Sequence, residues 1–191
     1  SGIVAYAYDP LFIADAGDGR RVWRAVRSSV DGDEGWLPPV DMFGEDLAAD
    51  SDPRDMFVLE EVARMPVVLW FSAIDRTGQR RAYVRRPAYD VHDDELAGTL
   101  APLPVTAPGD QPWTPTSAGR RLFFAAEMAN DASAMAVTEG TSQSTYAVLA
   151  AGSFPISGIA TLDGYVAMGA RSTGGVSGPL WVGDGTIYGM T

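Results

Sequence analysis

Catalysis needs side chains that trade protons, attack a substrate or hold a metal, and this chain carries few of them. His92, in Asp90-Val-His-Asp-Asp-Glu95, is the only histidine. Any Ser-His-acid triad would have to use it. Its acidic neighbours raise its pKa and favour the charged form, so the run reads as a solvated loop. The nucleophile elbow Gly-x-Ser-x-Gly is absent; Gly140-Thr-Ser-Gln-Ser144 comes nearest and lacks the closing glycine. There is no cysteine, which removes thiol chemistry and a disulfide framework and leaves the redox compartment open. All 14 basic residues are arginine. Without lysine, a Walker-type phosphate loop, a Schiff base and a Ser-Lys dyad are impossible. The same bias leaves Asn130 as the only asparagine, as a GC-rich coding sequence would.

Metal chemistry is narrowed in the same way. Zinc and other transition metals lack their usual histidine and cysteine ligands. Calcium needs only oxygen. Asp31, Asp33 and Glu34, or Asp15 and Asp18, supply carboxylates, although neither cluster has the spacing of a calcium loop. No cofactor is implied otherwise, and calcium would serve as an ion bridging subunits. Among 25 acidic residues a carboxylate pair for glycoside hydrolysis is available, yet spacing singles none out. Arg80, Arg81, Arg85 and Arg86 would grip phosphate or RNA, or else balance acidic loops from a solvated strand. A net charge of −11 argues against a dedicated nucleic-acid surface. Trp23, Trp36, Trp70, Trp113 and Trp181 form no stacking stripe and read as core or interface anchors.

The elements that must position these groups are strands. With 191 residues, 46% hydrophobic, the chain can bury a sizeable core as one domain over 1–191. Two units, 1–101 and 116–191, joined by the proline-rich 102–115, are the alternative. The stretch Phe154 to Arg171 anchors the fold. Read with a period of two, Ala160, Leu162, Val166, Met168 and Ala170 share an apolar face, and Thr161, Asp163, Tyr165, Ala167 and Arg171 share a mixed one. Gly2 to Tyr8 is apolar on both faces, as for a strand buried on both sides or an internal strand at a subunit contact. Asp15-Ala-Gly-Asp-Gly19 is a turn, and Arg20 to Arg27 fits a strand or a short helix.

Residues 31–55 hold nine acidic residues, Arg54 and a Pro38-Pro39 pair, the composition of a long exposed loop. A short helix is expected next, with Asp52 as N-cap, Pro53 at its first position, and Met56, Leu59 and Ala63 on one side. Pro66 to Ile74, Asp75-Arg-Thr-Gly78 and Arg80 to Arg86 form a hairpin whose arginine-edged second strand lies nearer solvent or an interface. Five prolines make 102–115 extended and stiff. The last third is almost uncharged, with strands expected at Leu122–Ala126, Thr145–Ala151, Ile156–Met168, Leu180–Val182 and Thr186–Met190. Gly183-Asp-Gly185 is a tight turn between the last two. No apolar run is long enough to span a bilayer as a helix, no signal-peptide pattern opens the chain, and no fixed-period repeat is visible.

The order of three pieces resembles the jelly-roll coat proteins of small icosahedral RNA viruses. Gly2-Ile-Val-Ala-Tyr-Ala-Tyr-Asp-Pro10 is similar to their Gly-x-Val…Tyr-Asp-Pro strand, though shorter. Gly119-Arg-Arg-Leu-Phe-Phe124 and Gly158-Ile-Ala-Thr-Leu-Asp-Gly-Tyr165 look like two of their late strands. The basic RNA-binding arm of that family is missing, as are the strands that precede the first match.

The fold expected is therefore mainly β, an antiparallel, jelly-roll-like β-sandwich with long loops and one or two short helices. The resemblance implies a non-enzymatic capsid component of a virion, packing against copies of itself or other virion proteins. Arg80–Arg86 and the 31–55 loop are the expected contact elements. The alternative is a receptor- or glycan-binding module, such as a viral spike domain or phage tail adhesin, exposing Trp36 and Trp113. A carboxylate hydrolase is a third reading, and would require a close, buried acidic pair.

Overall fold

The computed structural model describes residues 3–6, 9–15, 17–28, 35–43, 47, 50–59, 68–85, 100–106, 113–127, 133–140, 144–152, 156–170 and 178–186. Within them the protein is all β, with seventeen strands, every pairing antiparallel, and no helix. An antiparallel, sandwich-like β fold was expected and is found. No described helix is long and apolar enough to cross a membrane.

One large sheet organises the rest. It contains β7 (Arg54–Leu59), β8 (Val68–Ile74), β9 (Arg80–Arg85), β10 (Leu100–Thr106), β12 (Arg121–Glu127), β13 (Ser133–Thr138) and β14 (Tyr146–Gly152), with β11 (Thr116–Ala118) paired to β12. Neighbours follow chain order, as in a meander; no Greek-key crossing of the jelly-roll kind occurs among the described pairings.

The central sheet curls. Strands β8 and β12 are three spacings apart in order, about 14 Å on a flat sheet, yet the Trp70 and Phe124 rings are 5.5 Å apart. Its concave side therefore closes on itself around Leu59, Val68, Trp70, Val84, Leu103, Val105, Trp113 and Phe124.

The convex side carries two covers. Thr106 pairs with both Arg81 and Glu127, so residues in phase with Arg81 on β9 and with Glu127 on β12 share that side. Over its β7–β9 half lies a sheet of β1 (Ile3–Tyr6), β2 (Asp9–Asp15), β3 (Arg20–Arg24) and β6 (Val40–Asp41). Leu11, Val22 and Phe43 pack there on Leu69, Phe71 and Tyr83. Over the other half lies a sheet of β15 (Ile156–Leu162), β16 (Tyr165–Ala170) and β17 (Leu180–Gly183), whose Ile156, Val166 and Met168 meet Phe123, Ala125 and Met135. A small pair, β4 (Arg27–Ser28) and β5 (Gly35–Trp36), completes the set.

Several expectations need correction. The helix after Asp52 is strand β7. Asp52 and Asp55 have φ of 42° and 55°, outside the helical region, and Met56 and Val58 face one core cluster while Phe57 and Leu59 face another. That is a period of two. Ala63 lies outside the described residues. Residues 100–106 form a central strand despite Pro102 and Pro104, because both prolines face outward and the ladder shifts register between Pro102 and Thr106. The first strand is an edge, with Ile3 76% exposed, and not buried on both sides. The 31–55 segment is only partly a solvated loop, since Phe43, Ser51 and Pro53 are buried. Ser133–Thr138 was not anticipated as a strand.

Candidate functional site

The feature that distinguishes this molecule's surface comes from one dipeptide. Asp163 and Gly164 have φ of 48° and 83°, the paired positive values of a two-residue hairpin turn. They split the expected strand Ile156–Met168 into β15 and β16. Such a turn pairs Leu162 with Tyr165, an even position with an odd one, so the parity of the faces flips. Val166 and Met168 turn inward beside Ile159 and Thr161, while Ala160 and Leu162 stay outward beside Tyr165 and Ala167. The single apolar face expected through 160–170 is thus divided between the two sides of the sheet.

The result is a sheet that is apolar on both sides. The inner side is in the core, where Thr161, its polar member, donates from Oγ1 to the Ser117 carbonyl at 2.8 Å. The outer side presents Leu162 (75% exposed), Tyr165 (61%), Leu180 (68%) and Val182 (44%). Ala160, Ala167 and Val182 floor and flank a shallow groove of about 510 Å³. Asp163, at the turn, is the charged residue at its rim. The sheet is seated by Gly185, whose φ is +74° and whose missing Cβ would lie 2.6 Å from Phe123 Cζ.

The arginines of β9 do not form an outer edge; β9 lies between β8 and β10. Arg81 Nε donates to Asp75 Oδ2 at 2.5 Å. Arg85 is 7% exposed, its guanidinium carbon 5.3 Å from the Phe43 ring centroid. Arg86 lies outside the described residues. The arginine pattern marks inward ties rather than solvent.

Arg80 belongs to a node built on Asp52. Its Nη2 donates to Asp52 Oδ2 at 2.7 Å and its Nη1 to the Asp52 carbonyl at 2.9 Å. Arg54 reaches the same carboxylate oxygen at 2.6 Å, and Arg20 stands 3.8 Å from Oδ1. The starts of β3, β7 and β9 thus meet at one carboxylate. Sequence reading missed this, having taken Asp52 for a cap.

Of the two tryptophans expected at a binding surface, only Trp36 is exposed, at 65%. Trp113 is 2% exposed and packs edge-on against Trp70 at 5.6 Å. The concave core needed a large ring there, and proline-flanked residues supplied it. Asp15 accepts from the Gly17 amide and Asp18 pairs with Arg21. No group of three potential metal ligands occurs among the described residues. Asp31, Asp33, Glu34 and His92 lie outside them. Ser144 Oγ accepts from the Glu139 amide at 3.2 Å.

In the β8–β9 turn, the Thr77 hydroxyl, the Gln79 and Thr77 amides and Arg81 hold the Asp75 carboxylate well below its usual range. The Thr186 hydroxyl and amide lower Asp184 in the same sense. Both aspartates organise turns and are occupied by local donors. No protein-family model matches the chain, and no match is found among curated proteins or solved structures.

Proposed function

We propose that this chain is a non-enzymatic structural protein that works by packing against copies of itself, a virion component of the kind its sequence resemblance implies. The meander order lends the jelly-roll kinship no support, so the proposal rests on the outer face of β15–β17. Leu162, Tyr165, Leu180 and Val182 form an apolar patch of the kind that marks interaction sites. A second copy is the fitting occupant. Two chains of charge −11 repel over most of their surfaces, and among the described residues this face places no charge between them except at its rim. Two such faces can stack as a sandwich, sheet on sheet. A hydrolase would need a buried acidic pair, and no carboxylate is buried among the described residues.

Light scattering and sedimentation over a concentration series test the proposal. Wild type is expected to associate, and Leu162→Ser with Leu180→Ser to raise the dissociation constant at least a hundredfold while the fold holds. A wild-type chain that stays monomeric at every concentration overturns it. Repeating the series with calcium and with EDTA asks whether the acidic segment bridges copies through an ion.

Trp36 favours a second reading, a glycan- or receptor-binding module. Its ring is exposed opposite Arg27 and is followed by exposed Leu37, Pro38, Pro39 and Val40. Quenching of Trp36 fluorescence by a glycan panel, lost in Trp36→Phe, would select that reading.

A further inference from the structure

Aspartate before glycine is prone to isomerise, because glycine has no side chain to shield its amide nitrogen from the preceding carboxyl. The chain holds four such pairs: Asp18-Gly19, Asp31-Gly32, Asp163-Gly164 and Asp184-Gly185. Asp31-Gly32 lies outside the described residues. The fold treats the other three differently. Asp18 is tied to Arg21 Nη2 at 2.5 Å. Asp184 accepts from the Thr186 hydroxyl at 2.7 Å and from the Thr186 amide at 2.9 Å, and Gly185 is buried against the Phe123 ring. The Asp163 side chain has no such tie among the described residues.

Asp163-Gly164 is also a tip that opens at low cost. Leu162, Asp163, Gly164 and Tyr165 are exposed in succession, and a Cβ on Gly164 would meet nothing within 4 Å. Local opening is cheapest where the backbone is exposed and few buried apolar contacts hold it. Opening is what ring closure requires. The Asp163 carboxyl carbon must reach the Gly164 nitrogen, and the closed turn, with Asp163 at a φ of 48°, fixes the backbone between them. The Gly185 tip, packed on Phe123, opens less readily.

We propose that Asp163 is the preferred isomerisation site of the three described Asp-Gly pairs, and that its conversion to isoaspartate undoes the outer face of β15–β17. The Gly164 amide nitrogen attacks the Asp163 carboxyl carbon. A new N–C bond forms, and the amide proton leaves with the carboxyl OH as water, giving a succinimide. Water then opens the ring at the Asp163 backbone carbonyl. The main chain now runs through Cβ and Cγ, and the old backbone carbonyl carbon becomes a free carboxylate. Water is the only co-reactant, and the composition is unchanged. The isoaspartate lengthens the turn by one main-chain atom. Leu162 pairs with Tyr165 across a two-residue loop, and hairpin register follows loop length, so both side chains lose their places on the outer side. That consequence rests on the reading of this face as a self-contact; the isomerisation does not.

The full chain, aged in warm neutral buffer, is the sample. Isoaspartate is read by labelling with an isoaspartyl methyltransferase and placed by mass spectrometry of peptides cleaved at arginine. Isoaspartate at position 163 is expected to exceed that at 18 and at 184 by about tenfold or more, the ratio that roughly 1.4 kcal/mol of local opening produces. The excess should disappear in urea, where the fold no longer separates the pairs. The signal at 163 should vanish in Asp163→Gly, whose Gly-Gly tip keeps the turn. Equal or greater isoaspartate at 18 or 184 in the folded chain overturns the proposal, as does its absence at 163 when the chain in urea forms it there. In aged wild type, isoaspartate at 163 should be enriched in the monomer fraction; an even spread between monomer and larger species overturns its effect on the face. If fresh protein never associates, the self-contact reading fails, and the labelling still decides the isomerisation.

Discussion

The N-terminal and C-terminal covers lie on the same side of the central sheet and bury comparable cores, but they finish their outer surfaces differently. The outer side of β1–β3 and β6 mixes Phe12 and Trp23 with charge, tied by Arg21 to Asp41 at 2.7 Å and to Asp18 at 2.5 Å. Its edge is bound to the central sheet through the Asp52 node. Among the described residues, the outer side of β15–β17 shows no such ties, and Leu162, Tyr165, Leu180 and Val182 are its exposed apolar side chains. A cover held by ion pairs is complete in water. An exposed apolar cover is instead the kind of surface that marks interaction sites.

Breaking the seat of the apolar cover has the largest expected effect. Gly185→Ala places a Cβ 2.6 Å from the Phe123 ring at a φ of +74°. Overpacking and a left-handed backbone together cost about 2–4 kcal/mol, read by urea denaturation. A cost below about 1 kcal/mol would mean that this turn does not fasten the sheet. Arg80→Met is the matching break at the node through which Arg20 ties the N-terminal cover to the central sheet. It removes bonds to the Asp52 carboxylate, the Asp52 carbonyl and Ser72, at roughly 2 kcal/mol for charge-assisted bonds. Its loss should shrink in 1 M salt, whereas that of Gly185→Ala should not.

Substitutions on the two outer surfaces sharpen the contrast with smaller changes in stability. Leu162→Ser and Leu180→Ser touch exposed side chains and should leave unfolding free energy within about 0.5 kcal/mol. If either costs more than about 1 kcal/mol in the isolated chain, the face is already covered within one molecule. High salt should weaken the N-terminal ties and leave association through the apolar face undiminished.

The difference between the covers was only partly legible in the sequence. The β8–β9 hairpin was plain, because Val68–Ile74 is nearly all apolar and Gly78 closes its turn. The strands at Arg121–Glu127 and Tyr146–Gly152 were found within a residue or so. The outer face was hidden by treating 156–168 as one strand, although the Asp163-Gly164 pair carried the turn signal. One overlooked turn inverts the assignment of every later side chain. Prolines 102 and 104 concealed β10 because their usual meaning, a break in the ladder, is met here by a register shift. The Asp52 node had no local signature at all. Arg20, Arg54 and Arg80 come together only through tertiary pairing, and arginines on a strand read equally well as solvated.

Acid should separate the turns beneath the two covers, with the smallest effect of the set. Asp75, in the β8–β9 turn, is lowered first by the Thr77 hydroxyl, then by the Gln79 amide, Arg81 and the Thr77 amide. Asp184, in the C-terminal turn, is lowered by the Thr186 hydroxyl and amide. A carboxylate whose pKa is lower folded than unfolded adds stability above its ordinary range, and that stability is lost as pH falls through the folded pKa. Thr77→Val removes the leading donor, so the Asp75 pKa should rise and acid unfolding should begin at a higher pH, by about half a unit or less. Thr186→Val should act in the same direction through Asp184. Asp75 keeps two amides and a guanidinium after its loss, whereas Asp184 keeps the Thr186 amide. Carboxyl carbon shifts followed through an acid titration give both pKa values directly. A Thr77→Val chain whose Asp75 titrates as in wild type would show that Arg81 and the two amides alone hold the Asp75 carboxylate.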